Sequence, residues 1–578
     1  MFLMHLAEET VFHDVVILGT GLAGLRAALA ATAASKGQVS LALVSKIHLM
    51  RAHSVCAEGG TAAVLRPEQG DHLNLHAWDT VKGSDFLADQ DVVFRFVQEM
   101  PKEILFLDRH GMPWSRRPDG RINQRPFGGH SYPRATFAAD KTGFFEMQTL
   151  YDALLGYGAN FTRYDEHFAT GILLKDGKFA GVYTIDLQEG KVRLIMGKAL
   201  IIATGGAGRI FGFTTYSHSV TGDGLAMAYR IGLPLEDMEF IQFHPTGLIP
   251  SGILMTEACR GEGGYLRNAE GERFMSRYAP DRMELAPRDV VSRSMMTEIE
   301  EGRGFEGPDG LDYIHLDLTH LGEEKINERL PMIRDLVINF LGIDPVKEPI
   351  PVRPVAHYSM GGIEADIDGR TRIENIWVAG EAACTSLHGA NRLGSNSTAE
   401  CLVWGRIAGE QAAQYAMEAE FVGEPVEDAE RERARLERYL SADGSESPYA
   451  IMAELRRTMD KHFGVFRRGE VMERGLEKIR ELKHRFKHVR ITDKSLVYNT
   501  DLQTIYELEN MLDVAEVLAA GALAREESRG AHFRRDFPKR DDERWLKHTL
   551  AFRAEDGSPR LEYKPVRITA WKPIERKY

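Results

Sequence analysis

Cysteine is scarce in this chain of 578 residues. The four that occur, Cys56, Cys259, Cys384 and Cys401, are scattered singly, with no CxxC pair and no His/Cys spacing of the zinc-site kind. A disulfide framework and a structural zinc site are both disfavoured, and a reducing compartment fits best. Positive charge is in deficit as well: 72 Lys and Arg stand against 85 Asp and Glu, for a formal net charge of −13. Such a chain repels nucleic acid and anionic lipid, so affinity for an anionic ligand has to be local. No uncharged apolar run has the length needed to cross a bilayer. The opening residues 1–9 carry acid where a signal peptide carries base. The expectation is no direct membrane insertion, with any membrane link passing through a partner.

What is present begins with Val15-Val16-Ile17-Leu18-Gly19-Thr20-Gly21-Leu22-Ala23-Gly24. An apolar run reads as a buried strand, and Gly19, Gly21 and Gly24 complete a GxGxxG turn into a helix over 22–32. Backbone N–H groups at such a helix start receive a pyrophosphate, which the helix dipole favours. A second strand is expected over 39–45. The Asp or Glu that usually ends it in NAD sites is missing, and Val44-Ser45-Lys46 stands there. Ser45 can still bond a ribose, and Lys46 can face phosphate. Further strand-to-Gly turns occur at 199–206 and at Ile376-Trp377-Val378-Ala379-Gly380-Glu381. Glu381 offers a carboxylate to a polyol, which a ribityl chain is and which NAD lacks.

The wide separation of these turns implies one nucleotide domain assembled from distant pieces with an insert between them. The fold class expected is α/β: a Rossmann-like FAD-binding domain with an inserted α+β capping domain, followed by a C-terminal helical bundle. Boundaries fall at 1–239 and 355–420 for the split domain, 240–354 for the cap, 421–540 for the helical domain and 541–578 for a tail. Amphipathic spacing predicts a helix over 324–341, a turn to helical pattern from Ala408, and helices over 427–440, 449–463, 471–487 and 502–527. The mixed-charge tail around 529–547 reads equally as docking surface or solvated face.

Five loop segments carry His, Arg or Thr beside Gly or Pro: 242–247 with His244, 255–264 with Thr256, Glu257 and Arg260, 285–289 with Arg288, 356–362 with His357, and 388–397 with Arg392. A guanidinium holds a carboxylate through two parallel N–H···O bonds, and imidazole adds donors. Two such groups clamp a dicarboxylate at both ends. Spacing alone does not show that the segments converge, and metal-ligand spacing of the zinc or iron kind is not seen among them.

On segments 388–397, 255–264 and 237–247 the chain closely resembles the flavoprotein subunit of the succinate dehydrogenase and fumarate reductase family, over essentially its whole length. The tail residues 525–531 and Arg540-Asp541-Asp542 resemble the fumarate reductase members. The resemblance implies FAD linked covalently to His53 of Arg51-Ala52-His53-Ser54, with Gly59, Gly60, Asp223 and Ser397 joining the cofactor-binding set. It implies that His244 and Thr256 hold one carboxylate, that His357 and Arg392 hold the other, and that Phe127 lines the substrate. It assigns proton transfer to Arg288, with Glu257 and Arg260 as a relay. Chemistry alone favours a histidine for that role, because arginine's high pKa makes it a poor acid or base near neutrality. The histidines, however, are already needed as carboxylate donors.

The implied partners are an iron-sulfur subunit and membrane anchor subunits, with fumarate and succinate as substrates. The implied location is the cytoplasmic face of the inner membrane, held there peripherally through those subunits. A soluble flavin oxidase or fumarate reductase acting alone is the alternative. Glu58 matches fumarate reductases, where many succinate dehydrogenases have Gln. Its negative charge is expected to lower the flavin potential and favour electron delivery to fumarate. Thr398 departs from the aliphatic residue of many relatives, and a small packing effect is expected there.

Overall fold

The computed structural model describes residues 7–158 and 160–578, so the reading of the opening stretch falls mostly outside the described residues. Glu9–Leu18 pairs in parallel with Leu41–Ser45 on one side and with Lys191–Ile202 on the other. Leu41–Ser45 pairs in parallel with Phe161–Asp165. The far edge of Lys191–Ile202 is shared between two strands. Its first half pairs antiparallel with Lys178–Asp186, and its end pairs in parallel with Ile376–Val378.

Asn375 seals the junction between those two neighbours. Its side-chain nitrogen donates to the carbonyls of Phe179 (3.0 Å) and Lys198 (2.8 Å), and its oxygen accepts from the Phe179 N–H (2.9 Å). The three strands that end in Gly turns are therefore neighbours, and their carboxyl ends open on one edge, where such sheets bind ligands.

The sheet is buried on both faces, which explains its near-continuous apolar strands. Val16, Leu18, Leu200 and Ile202 enter one core, while Val15, Ile17, Ala199 and Ile201 enter the other. Leu22–Ala34, Gln90–Arg109, Thr142–Gly156 and Asn396–Glu418 cover the second face. The four helices Val426–Leu440, Pro448–His462, Gly469–Phe486 and Thr500–Ala524 share the first core with the sheet. Thr500–Ala524 is buried over most of its circumference and sinks between sheet and bundle.

A separate core lies under a four-stranded antiparallel sheet of Ile241–Leu248, Ile350–Ser359, Ile314–Asp317 and Tyr265–Arg267. Ile241–Leu248 and Ile350–Ser359 bring His244 and His357 onto paired strands, with their ring centroids 5.0 Å apart.

Three local expectations are corrected. The helix expected over 324–341 breaks into Glu323–Arg329 and Pro331–Leu341, because Pro331 lacks an N–H and starts a new helix. The helix expected from Ala408 begins at Asn396, inside a Gly/Ser-rich stretch that reads as loop. The tail near Arg529 is not a solvated face: the side chains of Arg525, Glu527 and Arg529 are fully buried and joined at 2.8–3.0 Å. Farther on, Lys547–Arg553 and Pro559–Pro565 form a hairpin that pairs with Leu235–Glu236.

Candidate active site

A cavity of about 510 Å³ opens at the carboxyl edge of the parallel sheet and runs under the antiparallel cap. Gly19 and Gly21 line one end of it. Gly19 has φ +102°, and a Cβ there would stand 2.2 Å from the Ala203 carbonyl oxygen. Gly24 lies off the cavity; a Cβ on it would meet the Gly19 carbonyl at 2.0 Å, so it lets the helix close onto the strand turn. The N-cap residue Gly21 supplies no side-chain cap, and Ser54 Oγ accepts from the Leu22 N–H at 3.1 Å. This cradle has room for a pyrophosphate only because side chains are absent.

Ser45, Lys46 and Asp223 line the same region. Lys46 is not a free hand for phosphate. Its ammonium donates to Asp223 (2.7 Å), Glu507 (2.7 Å) and Thr221 (2.8 Å), and it thereby ties the sheet to the helical domain. Burial alone would lower its pKa, but the two carboxylates outweigh that and raise it. Asp223 also accepts from Asn510 Nδ2 (2.8 Å). Glu507 and Asn510 left no signal in the sequence, because both lie on a helix that reads as core.

Farther along the cavity, His53 occupies the turn His53–Cys56. Its ring stacks on Tyr216 at 5.0 Å, and Nδ1 accepts from the Ser217 N–H at 3.3 Å. Burial pushes its pKa down to about 4, which keeps the imidazole neutral and nucleophilic. Glu381 Oε1 accepts from the Ser359 N–H (2.9 Å) and from the Tyr216 hydroxyl, and burial raises its pKa to about 7. Gly59, Gly60 and Ser397 complete this wall.

Glu58 departs from expectation. Its carboxyl is buried, and burial, reinforced by Asp140, holds its pKa well above the usual range against the Thr256 N–H and Arg125. Burial thus works against the negative charge expected there.

The cap end gathers the residues of the five loop segments. His244 and Arg392 are fully buried, Arg288 nearly so, and His357 lines the same space. The tautomer of His244 follows from its neighbours. The Thr246 N–H donates to Nδ1 at 3.1 Å while the Thr246 hydroxyl is spent on the Met255 carbonyl, so Nε2 carries the proton. That Nε2, like Nε of Arg392, is buried and has no partner among the described residues. His357 Nδ1 bonds the Thr215 hydroxyl at 2.8 Å. Burial first, then Arg288 and its neighbours, holds both imidazoles well below their usual pKa, so both are neutral donors.

The Arg392 guanidinium lies 4.2 Å over the Tyr358 ring, and burial together with Arg288 pushes its pKa down to about 10. Phe127 packs between Gly59 and Gly394, and Thr256 sits beside Gly59 on the cavity wall.

Arg288 is clamped on two sides. Its Nε donates to Glu257 Oε2 at 2.6 Å, and NH1 donates to Gln242 Oε1 at 3.0 Å. Arg260 lies behind, off the cavity, with NH2 3.6 Å from the same Glu257 oxygen. Burial would raise the pKa of Glu257, yet Arg288 and Arg260 outweigh it, so the carboxylate stays charged. Two buried guanidiniums thus share the Glu257 carboxylate, and Arg392 stands near them without an ion pair of its own among the described residues. A positive centre of this kind, with the unpartnered donors His244 Nε2 and Arg392 Nε on the cavity residues, suits a dianion.

Gln242 is a residue that sequence reasoning passed over. Its Nε2 donates to the Arg392 carbonyl (2.6 Å) and to Asn391 Oδ1 (3.0 Å), so one amide ties both arginine loops. Its place two residues before His244 on the same strand face was the available signal. Spacing also missed a gathering of Glu236, Asp237 and Cys384, whose ligand atoms lie within 4.8 Å of one another. His548 (2.6 Å from Asp237) and Lys564 (2.6 Å from Glu236) occupy it as an ion network.

Among the described residues, no helix is long and apolar enough to cross a membrane. Residues 14–398 match the FAD binding domain family, and 452–578 match the fumarate reductase flavoprotein C-terminal family. The chain is 49% identical to the fumarate reductase flavoprotein subunit of Haemophilus influenzae, over 99% of this chain and 97% of that one. It is 43% identical to the succinate dehydrogenase flavoprotein subunit of Rickettsia bellii, over 96% and 95%. A solved quinol-fumarate reductase chain with menaquinol molecules superimposes with a TM-score of 0.94 at 48% identity, covering 98% of this chain and 100% of that one. Sequence, fold and site converge: the chain belongs to the family of fumarate reductase and succinate dehydrogenase flavoprotein subunits.

Proposed function

We propose that this chain is the catalytic flavoprotein subunit of a quinone-linked complex and interconverts fumarate and succinate. The observation that carries this reading is the convergence of Arg288, Arg392, His244 and His357 on one cavity wall, with unpartnered donors at His244 Nε2 and Arg392 Nε. The residues present fit FAD: the glycine cradle at Gly19 and Gly21 receives the pyrophosphate, and Asp223 and Glu381 line the length between it and the cap. His53 is the attachment point. Bound FAD supplies the hydride-transfer chemistry.

The chain's own residues do the rest. His244 and Thr256 hold one carboxylate of the substrate, and His357 and Arg392 hold the other, excluding water and keeping the four-carbon dianion flat. Arg288 gives or takes the proton, and Glu257 with Arg260 restores it. Electrons pass to or from an iron-sulfur subunit and then quinone. Anchor subunits hold the assembly peripherally at the cytoplasmic face of the inner membrane.

Fumarate reduction is the favoured direction. Its support is the higher identity to fumarate reductase flavoproteins, since burial works against a charge on Glu58. The test is a pair of dye-coupled assays on the purified flavoprotein. Fumarate-dependent oxidation of a reduced viologen and succinate-dependent reduction of an artificial acceptor are both expected, while failure of both with FAD bound overturns the reading. Flavin content of the denatured, acid-precipitated protein separates this reading from a soluble enzyme with free FAD.

Gln242→Leu keeps the volume but leaves Arg288 NH1 without its acceptor and the Arg392 loop without its tie. A hydrogen bond to a charged group contributes about 1.5–3 kcal/mol, so kcat/KM for fumarate is expected to fall about ten- to hundredfold. FAD content is expected to stay unchanged, as read from the absorbance ratio of flavin to protein.

A further inference from the structure

The stretch 569–578 runs from one core of the molecule to another. Gln90 Oε1 accepts from the N–H groups of Thr569 (3.1 Å), Ala570 (2.8 Å) and Trp571 (3.0 Å), and Gln90 Nε2 donates to the Trp571 carbonyl (2.7 Å). The Trp571 ring stacks on Phe94 at 5.3 Å and meets Trp78 edge-on at 5.4 Å, which fixes it to the core covering the second face of the parallel sheet. Tyr578 packs on the core under the four-stranded sheet, with the Lys82 ammonium 4.3 Å over its ring. Between these anchors stands Arg576, its side chain only 9% exposed.

Arg576 joins a carboxylate from each side. Its NH2 donates to Asp289 Oδ2 at 2.6 Å and lies 3.1 Å from Asp85 Oδ2, while NH1 donates to the Gly83 carbonyl at 3.3 Å. Asp85 precedes Phe86, a member of the first of those cores. Asp289 lies in the first turn of the helix Arg288–Glu298, which enters the other core through Val291 and Met295. It follows Arg288 directly in sequence.

We propose that Arg576 is a positioning residue for Arg288: by bridging Asp85 and Asp289 it pins the first turn of the Arg288 helix across the seam between the two cores, and so fixes where that guanidinium meets the substrate. Glu257 and Gln242 hold the tip of the Arg288 side chain, whereas the Asp289–Arg576 pair holds the backbone from which it extends. Without the bridge, two carboxylates seated on one nitrogen face each other across the seam and repel. Neither is left unpaired. Asp85 keeps Arg540 (2.7 Å) and the Gly530 N–H (2.8 Å), and Asp289 keeps Arg293 (3.2 Å). Arg293 also donates to the Gly530 carbonyl at 2.7 Å, a second tie across the seam that limits the displacement. Loss of Arg576 therefore spares the fold and falls on alignment.

This inference rests on the reading of Arg288 as the proton donor and acceptor, so the wild type with FAD bound is assayed first. The test is Arg576→Gln in the full chain, with pre-reduced flavin and fumarate in single-turnover experiments. Because His244, Thr256, His357 and Arg392 hold the carboxylates on that reading, a displaced Arg288 slows the proton step and spares binding. The limiting rate is expected to fall about tenfold, since misplacement of a reacting group by a fraction of an ångström has costs of this order. The half-saturating fumarate concentration, and the inhibition constant of malonate, a dicarboxylate with no double bond to reduce, are expected to stay within about twofold. The solvent deuterium isotope effect on the limiting rate is expected to rise. Arg576→Lys restores the rate, because both carboxylates meet a single nitrogen that an ammonium can replace. An unchanged rate in Arg576→Gln, a rise in the malonate constant that keeps step with the fall in rate, loss of FAD from that variant, or a lysine variant as slow as the glutamine one overturns the proposal. A wild type that binds FAD and turns over neither fumarate nor succinate overturns the reading of the site instead.

Discussion

Replacing Arg288 by lysine is expected to lower fumarate reduction and succinate oxidation by at least about a thousandfold while leaving FAD in place, the upper range for removing a positioned acid or base. The guanidinium satisfies two clamps at once, with Nε on Glu257 and NH1 on Gln242, and still presents its fork at the cavity wall. A lysine has a single nitrogen on a flexible stem; it can keep one clamp or reach the cavity, but not both. An arginine is a poor acid in water. Here the Glu257 carboxylate stands 2.6 Å away with Arg260 behind it, so on the proposed relay it accepts a proton from the Arg260 side and passes it on, and Arg288 need not remain deprotonated. The histidines are not free for the role: His244 gives its one N–H to the substrate side, and both imidazoles are neutral. Single-turnover rates with reduced viologen and fumarate check this. A lysine variant within about tenfold of wild type takes Arg288 out of the proton step.

His53→Ser is expected to abolish all flavin that survives denaturation and acid precipitation, read as fluorescence of the precipitated band. FAD is expected to remain in the native variant, because the glycine cradle and the rest of the cavity wall do not depend on the imidazole. The neutral His53 ring, stacked on Tyr216 and oriented by the Ser217 N–H, is poised as a nucleophile. On the proposed attachment, the link to this imidazole withdraws electrons from the flavin ring. Losing it lowers the flavin potential, so succinate oxidation suffers more than fumarate reduction. Fluorescence that persists in the serine variant places the link elsewhere; equal loss in both directions removes the argument from potential.

Much of the fold was legible because it is written in local pattern. The three strand-to-Gly turns announced their strands, and the apolar runs were continuous because the parallel sheet is covered on both faces. The breaks in legibility have local physical causes too. Pro331 divides a periodic stretch that amphipathicity alone would join. The Gly/Ser-rich start of Asn396–Glu418 reads as loop until the buried helix N-terminus is seen.

At the site, residue type was readable and commitment was not. Lys46 looked like a phosphate ligand, but its charge is spent on Asp223 and Glu507, the latter 461 residues away in sequence. Glu58 looked like a negative charge, yet burial raises its pKa and works against that charge. Thr398 looked like packing, yet it hydrogen-bonds Thr61. Gln242 carried no motif, though it ties the Arg288 and Arg392 loops together.

The sequence by itself determined the family, the glycine turn and the kinds of side chain available to hold a dicarboxylate, because these depend on residue identity and short-range spacing. Only the tertiary structure decided which of those groups are charged, which are already paired and which point unpartnered into one cavity. Those properties follow from burial and from neighbours that are hundreds of residues apart along the chain.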